Sequence, residues 1–243
     1  MHNLSSTEVF ERSSLLLGAD NIAKLQKAKV AVIGLGGVGS FVAEALARSG
    51  LGHLLLIDKD VYQASNLNRQ LGADCQSINC SKVKVSCARI KEIAPFCQVE
   101  GKEEFITPVT NLSYLDDCDF VADCIDTVSS KIALVLYCQS KNIALISAMG
   151  TARKFDPAQI TVCDLFQTKY DRICRVMRRE LRQRQVKHLT VCYSPEPLKE
   201  QTAEISRLKL QQPGAKVPLA SLIFVPGTAG LRIAHHIISC LIN

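Results

Sequence analysis

Apolar residues along this chain fall in short blocks, set apart by polar and glycine-rich breaks. Val30-Ala31-Val32-Ile33 and Leu54-Leu55-Leu56-Ile57 are continuous runs, the length of strands buried on both faces. Phe41 to Ser49, between them, reads as helical. The order predicts strand 30–34, helix 38–49 and strand 53–58, a βαβ unit crossing over right-handed into a parallel sheet. The next helix runs from Lys82 to Ala94, with Val83, Cys87, Ile90 and Ile93 at helical spacing, Ser81 as N-cap and Pro95 as stop. Val99 to Phe105 reads as an edge strand. Cys118 to Ile125 contains a buried strand, 129–140 is a helix and Ile143 to Ser147 a further strand. The second half predicts strands over Ile160–Asp164 and His188–Tyr193, an amphipathic helix over Tyr170–Lys187 and a closing helix over Gly227–Ile242. Ahead of the first strand, Leu15, Leu16, Ile22 and Leu25 predict one short helix over Ser14–Leu25. This succession is that of an α/β protein, a Rossmann-like, mostly parallel sheet with helices on both faces and an elaborated C-terminal half. Its length suits one domain over 1–243: a lead-in over 1–28, a nucleotide-binding core over 29–150, and a C-terminal portion over 151–243 with a basic helix and a polar crossover loop, 199–217.

The break after the first strand carries Gly34, Gly36 and Gly39 in a G-x-G-x-x-G, with a further Gly37. A tight turn, a close backbone approach to phosphate and a helix N-terminus with free N–H groups all favour this spacing. Alone it marks only a turn. Asp58 follows at the end of the second strand, where such folds place a carboxylate for ribose hydroxyls, and the combination predicts a nucleotide site. Behind it, Asp58-Lys59-Asp60 leads to Ser65-Asn66-Leu67-Asn68-Arg69-Gln70, a loop that is either a dense set of phosphate donors or simply an Asn-rich turn. Lys82 sits in the first turn of a helix, where a cation is unfavourable unless an anion lies there too. Asp123 and Asp126 flank a strand end. Hard oxygens suit Mg²⁺ holding nucleotide phosphates, and an N-cap for the following helix accounts equally well for one of them.

Charge and cysteine content narrow the class. The net charge of +6 is concentrated on the helix after residue 169, which carries Lys169, Arg172, Arg175, Arg178, Arg179, Arg182, Arg184 and Lys187 against Asp171 and Glu180. Its other face is Ile173, Val176, Met177 and Leu181. Such a stripe is either a solvated face or a surface for a polyanion backbone, where each phosphate contact releases counterions. No aromatic residue is interleaved, so base stacking is not predicted. The eleven cysteines include no C-x-x-C pair and several lie in apolar runs, which predicts a reducing, cytoplasmic setting and no zinc. No run of 18 apolar residues predicts a membrane span, and the polar, acid-bearing N-terminus is not that of a signal peptide. His235 and His236 read as structural, and Arg12, by itself, as a solvated charge.

From Arg12 to Asp126 the chain resembles the ThiF/MoeB/HesA family, whose fold is shared with ubiquitin-activating enzymes and whose members adenylate carboxylates with ATP. The resemblance rests on Gly34-Leu35-Gly36-Gly37-Val38-Gly39, Asp58-Lys59-Asp60, Ser65-Asn66-Leu67-Asn68-Arg69-Gln70, Lys82 and Asp123-Cys124-Ile125-Asp126. It implies that Asp58 holds the ribose, that Asn66, Arg69 and Lys82 hold the triphosphate, and that Asp60, Asn68 and Gln70 belong to the same site. It further implies that Asp126 holds Mg²⁺, and that Arg12 enters the ATP site of the neighbouring subunit of a homodimer. Arg12, Arg69, Lys82 and Asp126 are thus the implied catalytic set. The second half resembles the tRNA threonylcarbamoyladenosine dehydratases of that family through Glu11-Arg12 before Leu17-Gly18, Asp156-Pro157, the basic helix, Tyr193-Ser194-Pro195-Glu196 and Phe224-Val225-Pro226-Gly227. That implies ATP-dependent closure of threonylcarbamoyladenosine in tRNA to a cyclic hydantoin through an acyl-adenylate. Arg172, Arg175, Arg178, Arg179 and Arg182 would then face tRNA. A monovalent cation (K⁺ or Na⁺) and a sulfur-acceptor or desulfurase system are further implied partners. The alternative is an adenylyltransferase for the C-terminus of a ubiquitin-like sulfur carrier, although such enzymes usually carry two C-x-x-C pairs. Ring closure is intramolecular and demands no catalytic thiol, so Cys192 is read as a strand residue.

Overall fold

The computed structural model describes residues 5–199, 202 and 220–243. Seven strands form one sheet in the order β3-β2-β1-β4-β5-β7-β6: β1 (Lys29–Ile33), β2 (His53–Asp58), β3 (Gln98–Glu103), β4 (Phe120–Asp123), β5 (Ala144–Ala148), β6 (Thr161–Asp164) and β7 (Thr190–Tyr193). All neighbours are parallel except β6, which runs antiparallel to β7. Winding proceeds outward from β1 to β3, then returns to β4 on the other side. The carboxyl ends of β1, β2 and β4 therefore open a crevice at the switch point of the sheet.

The continuous apolar runs are explained by burial on both sides. Val30 and Val32 join Val42, Leu46, Val83, Ile90 and Ile233 in one layer. Ala31 and Ile33 join Leu115, Leu134 and Cys138 in the other. Strand side chains alternate between faces, so a central strand with helices on both sides has no polar position to spare. The first layer is built by α4 (Gly39–Arg48), α5 (Lys82–Ile93) and α8 (Phe224–Ile242), the second by α6 (Val128–Lys141). A third cluster packs α7 (Arg172–Gln183) on β7 through Cys174, Met177, Leu181 and Val191. The outermost strand β3 is mostly exposed, as its sequence predicts.

The single expected lead-in helix is corrected to three: α1 (Ser6–Val9), α2 (Glu11–Leu17) and α3 (Ala19–Lys27). Gly18, at φ +84°, breaks the run; this left-handed backbone is open to glycine and ends α2. Ile22 and Leu25 are buried with Phe10, whereas Leu15 and Leu16 are more than four-fifths exposed. The closing helix begins three residues earlier than expected, at Phe224, with Pro226 in its first turn, where a missing N–H costs nothing. The expected basic helix is shorter at both ends, capped by Asp171 accepting from the Cys174 N–H. The expected crossover loop at 199–217, apart from Lys199 and Thr202, lies outside the described residues. Among the described residues no helix is long and apolar enough to cross a membrane.

Candidate active site

The glycines after β1 are dictated by contact. Gly34 has φ +91°, and a Cβ there would stand 2.8 Å from the Cys124 carbonyl oxygen. A Cβ on Gly39 would meet the Gly34 carbonyl oxygen at 1.7 Å, so only glycine lets the start of α4 close onto the loop. Gly37 lies under Arg69 and Pro226, with a virtual Cβ 3.5 Å from Arg69 Cγ. Gly36 faces the Gln70 amide, whose Nε2 is 4.0 Å from the same construction. The loop after β1 and the loop after β2 therefore form two walls of one crevice.

Asp58 ties these walls together. Its Oδ2 accepts from the Leu35 N–H at 2.6 Å and its Oδ1 from the Asp60 N–H at 2.8 Å. A carboxylate has about four acceptor sites, so two stay available for hydroxyls. The Asp60 carbonyl accepts from the Lys82 N–H at 3.0 Å, and its carboxylate lies 3.2 Å from Lys82 Nζ. Lys82 is only 6% exposed. It is a buried ammonium held at a helix start, which is the arrangement an incoming polyphosphate would stabilise. Asn66 is buried and accepts from the Gln63 N–H. Arg69 donates to the Ser65 carbonyl and to Asn68 Oδ1, and Asn68 Nδ2 donates to the Ser221 carbonyl just before α8. Gln70 is buried with its Oε1 unpartnered, an acceptor that a bound donor can satisfy. Gly34, Gly36, Gly37, Gly39, Asp58, Asp60, Asn66, Asn68, Arg69, Gln70 and Lys82 are thus gathered in one place.

The two aspartates at β4 separate. Asp123 is fully buried and accepts from Lys131 Nζ at 3.0 Å, the Ser147 hydroxyl and the Ile125 N–H. Lys131, also buried, donates as well to the Ala148 carbonyl at 2.7 Å. The idea that both carboxylates hold Mg²⁺ is therefore corrected: Asp123 is consumed in a buried ion pair. Nor does either aspartate cap α6, whose N-cap is Thr127. Asp126 is exposed at the crevice edge and accepts only from the Thr127 hydroxyl. One free carboxylate opposite a phosphate-binding wall fits Mg²⁺, which is commonly held by one or two carboxylates plus substrate phosphates.

Arg12 is not brought to this crevice. It is exposed on α2, which packs with α3 against the far end of α8. Phe10 also covers Gly50, at the opposite edge of the sheet. The basic helix is also less uniform than its sequence. Arg178 turns back to the carbonyl and hydroxyl of Thr168, and Arg182 lies over the Phe166 ring. Arg179 and Arg184 pair with Glu180, which corrects the single-sign reading of this face. Arg172 and Arg175 are exposed near its N-terminal end. Cys192 is buried in β7 with its thiol pushed up to about 12 by burial, so it is protonated at neutral pH. A groove of about 660 Å³ on the outer side of α6, lined by Thr107, Leu112, Ile132, Tyr137 and Val176, takes in Glu180 and Arg184 of the basic helix but none of the crevice residues.

Sequence reasoning missed what holds the neighbouring edge. Lys154 Nζ pairs with Asp171 at 2.9 Å and donates to the Ser194 carbonyl at 2.6 Å, all buried. Glu196 accepts from the N–H groups of Phe155 and Asp156. No local spacing links these residues. The Ser194-Pro195-Glu196 motif was the available signal.

A doubly wound sheet, a tight glycine loop at its switch point, and a buried lysine beside a buried amide with an unpartnered oxygen are the marks of a nucleotide-binding α/β protein. The chain belongs to the ThiF family, which matches residues 10–242. It is 39% identical over 240 residues to the tRNA threonylcarbamoyladenosine dehydratase of Bacillus subtilis, covering 96% of this chain and 94% of that one. The structure of the Escherichia coli tRNA N6-threonylcarbamoyladenosine dehydratase in complex with ATP superimposes with a TM-score of 0.87 at 31% identity, covering 97% of this chain and 94% of that one. Similarity to the adenylyltransferase and sulfurtransferase MOCS3 of Drosophila sechellia is narrower: 32% over 145 residues, 60% of this chain and 31% of that one.

Proposed function

We propose that this protein is an ATP-dependent tRNA threonylcarbamoyladenosine dehydratase acting in the cytoplasm. The observation that carries the reading is the crevice at the switch point of the sheet in a chain that follows the dehydratases over nearly its whole length. The substrate carboxylate attacks the α-phosphorus of ATP, pyrophosphate leaves, and an acyl-adenylate forms. A nitrogen of the same substituent then attacks the acyl carbon and AMP departs. One water is lost from the nucleoside, and the five-membered ring closes.

The residues fit these steps. Asp58 orients the ribose while fixing the glycine loop. Lys82, Arg69 and Asn66 neutralise and position the phosphates, lowering the repulsion that an attacking carboxylate meets. Asp126 would hold Mg²⁺, which supplies Lewis-acid stabilisation of phosphate charge. Ring closure gains chiefly from orientation. Arg12 completes the site from a second copy of the chain. Its own crevice lies at the other end of α8, and Leu15 and Leu16 beside it offer apolar surface for a partner to cover. A monovalent cation belongs to the same reading through the resemblance alone. The sulfur-acceptor or desulfurase partner has no counterpart in the described geometry.

Nucleoside mass spectrometry tests the proposal. Threonylcarbamoyladenosine-bearing tRNA treated with the protein, ATP and Mg²⁺, then digested near neutral pH, gives a product lighter by one water only when ATP is present. No such product, with pyrophosphate exchange stimulated by a small carrier protein instead of tRNA, moves the protein to carrier activation, the reading that the MOCS3 similarity favours.

A further inference from the structure

Two aromatic side chains stand in solvent beside the crevice. Phe155 is 58% exposed and Tyr170 78%. Their neighbours in sequence, Lys154 and Asp171, form the buried ion pair at 2.9 Å, so the two exposed rings flank one buried contact. Tyr170 has φ +60°, and across it the Asp171 N–H donates to the Lys169 carbonyl at 2.8 Å. It therefore occupies the tip of a strained three-residue turn that a bulky residue rarely adopts. Phe155 is fixed from the other side by Glu196 accepting its N–H. The Phe155 N–H is held by the buried Glu196 carboxylate, and Tyr170 directly precedes the buried Asp171, while both rings are left outside.

The surroundings are cationic. Lys199 Nζ lies 5.8 Å from the Phe155 ring centroid, and Lys169, Arg172 and Arg175 are exposed next to Tyr170. The position is that of the crevice mouth. Arg153, next to Lys154, donates its N–H to the Ala220 carbonyl, and the adjacent Ser221 carbonyl accepts from Asn68 of the phosphate-binding loop. Exposed rings among cations suit unpaired nucleotides. Bases stack on the rings and phosphates pair with the charges, whereas a duplex hides its base faces.

We propose that Phe155 and Tyr170 form a stacking platform for unpaired loop bases of RNA beside the substrate nucleoside, with Lys199 and Arg172 on the adjoining phosphates. It rests on the tRNA reading above. Tyr170 directly precedes Asp171, the N-cap of α7, and Phe155 is linked to that helix through the Lys154–Asp171 contact.

The chain contains no tryptophan, so Tyr170→Trp carries a single indole. An unmodified anticodon stem-loop RNA, added without ATP, is expected to quench its fluorescence. Phe155→Ala/Tyr170→Ala is expected to weaken binding of that RNA about tenfold or more, with the salt slope of affinity unchanged and ATP affinity by calorimetry unchanged. Wild-type binding that the alanine variant matches, with an unquenched indole, overturns the platform while leaving the tRNA reading intact. A variant that alters sedimentation instead of RNA affinity overturns it in favour of a contact between protein copies. Failure of the wild type to bind any tRNA removes both readings together.

Discussion

The crevice over β1, β2 and β4 is shaped by backbone contact, whereas the edge over β5, β6 and β7 is held by buried charge. In the first region, backbone atoms closer to Gly34 and Gly39 than any Cβ could tolerate decide the loop, and Asp58 clamps it through two N–H groups. In the second, Lys154 and Asp171 meet across 17 positions, and Glu196 reaches back to Phe155 across 41. Lys131–Asp123 stands at the boundary and uses the second method inside the first region. The difference teaches that a tight glycine loop is fixed by shape, while an edge built from distant segments can be suspended from a few buried ion pairs.

The largest expected effect comes from breaking the buried pair at the boundary of the two regions. Asp123→Ala leaves Lys131 buried and unpaired, and is expected to cost about 3–5 kcal/mol of unfolding free energy in urea titration. Asp123→Leu/Lys131→Met should recover most of it. If the single change costs nothing, the pair is not what holds β4 to β5. Next, Lys82→Ala is expected to lower ATP-dependent product formation about a hundredfold or more at nearly unchanged stability. Full activity would remove Lys82 from the phosphate wall. Subunits carrying Arg12→Ala mixed with subunits carrying Lys82→Ala should regain part of the lost activity, and no recovery would refute a site completed across an interface. Along the basic helix, Arg175→Gln should lower the salt slope of tRNA affinity by about 1, whereas Arg178→Gln should act mainly on stability through Thr168. Equal slopes would erase the distinction between the exposed and the inward-turned arginines.

The smallest effect expected is on acidification. Glu44 joins α4 to α5; burial pushes its carboxyl up, but hydrogen bonds from Arg89 and Arg48 outweigh this and hold it below its ordinary 4.5. A carboxyl lowered by folding stabilises fully above that ordinary value and loses its contribution as the pH falls through the folded one. Arg89 is 41% exposed, so screening limits the contribution to less than about 1 kcal/mol. Glu44→Gln should flatten the acid limb of the stability curve by that amount.

The same contrast explains what could be read in advance. Strands, crossovers and the glycine loop were legible because each rests on a local rule: an apolar run, a glycine spacing, a capping residue. Val30 to Asp58 predicts its own βαβ unit within a residue or two. Asp123 was misread because its partner Lys131 lies one helical face away and looks, in sequence, like any solvent lysine. The link between Phe155 and Tyr170 was invisible because it runs through the long-range Lys154–Asp171 ion pair. The break at Gly18 could have been read, since glycine after Leu17 is a helix-stop signal.

Helix α8 carries one more consequence. Its 19 residues span about 28 Å, from Pro226 on Gly37 to Ile242, whose carbonyl accepts from Lys24. A rigid rod of that length keeps the Arg12 helix and the chain's own phosphate wall permanently apart. If, as proposed, Arg12 completes a neighbour's site, a lone chain lacks a part that no internal rearrangement short of unfolding can supply. Catalysis would then obey mass action in the protein itself: below the dissociation constant of the pair, rate would scale with the square of enzyme concentration, and dilution alone would become an off-switch.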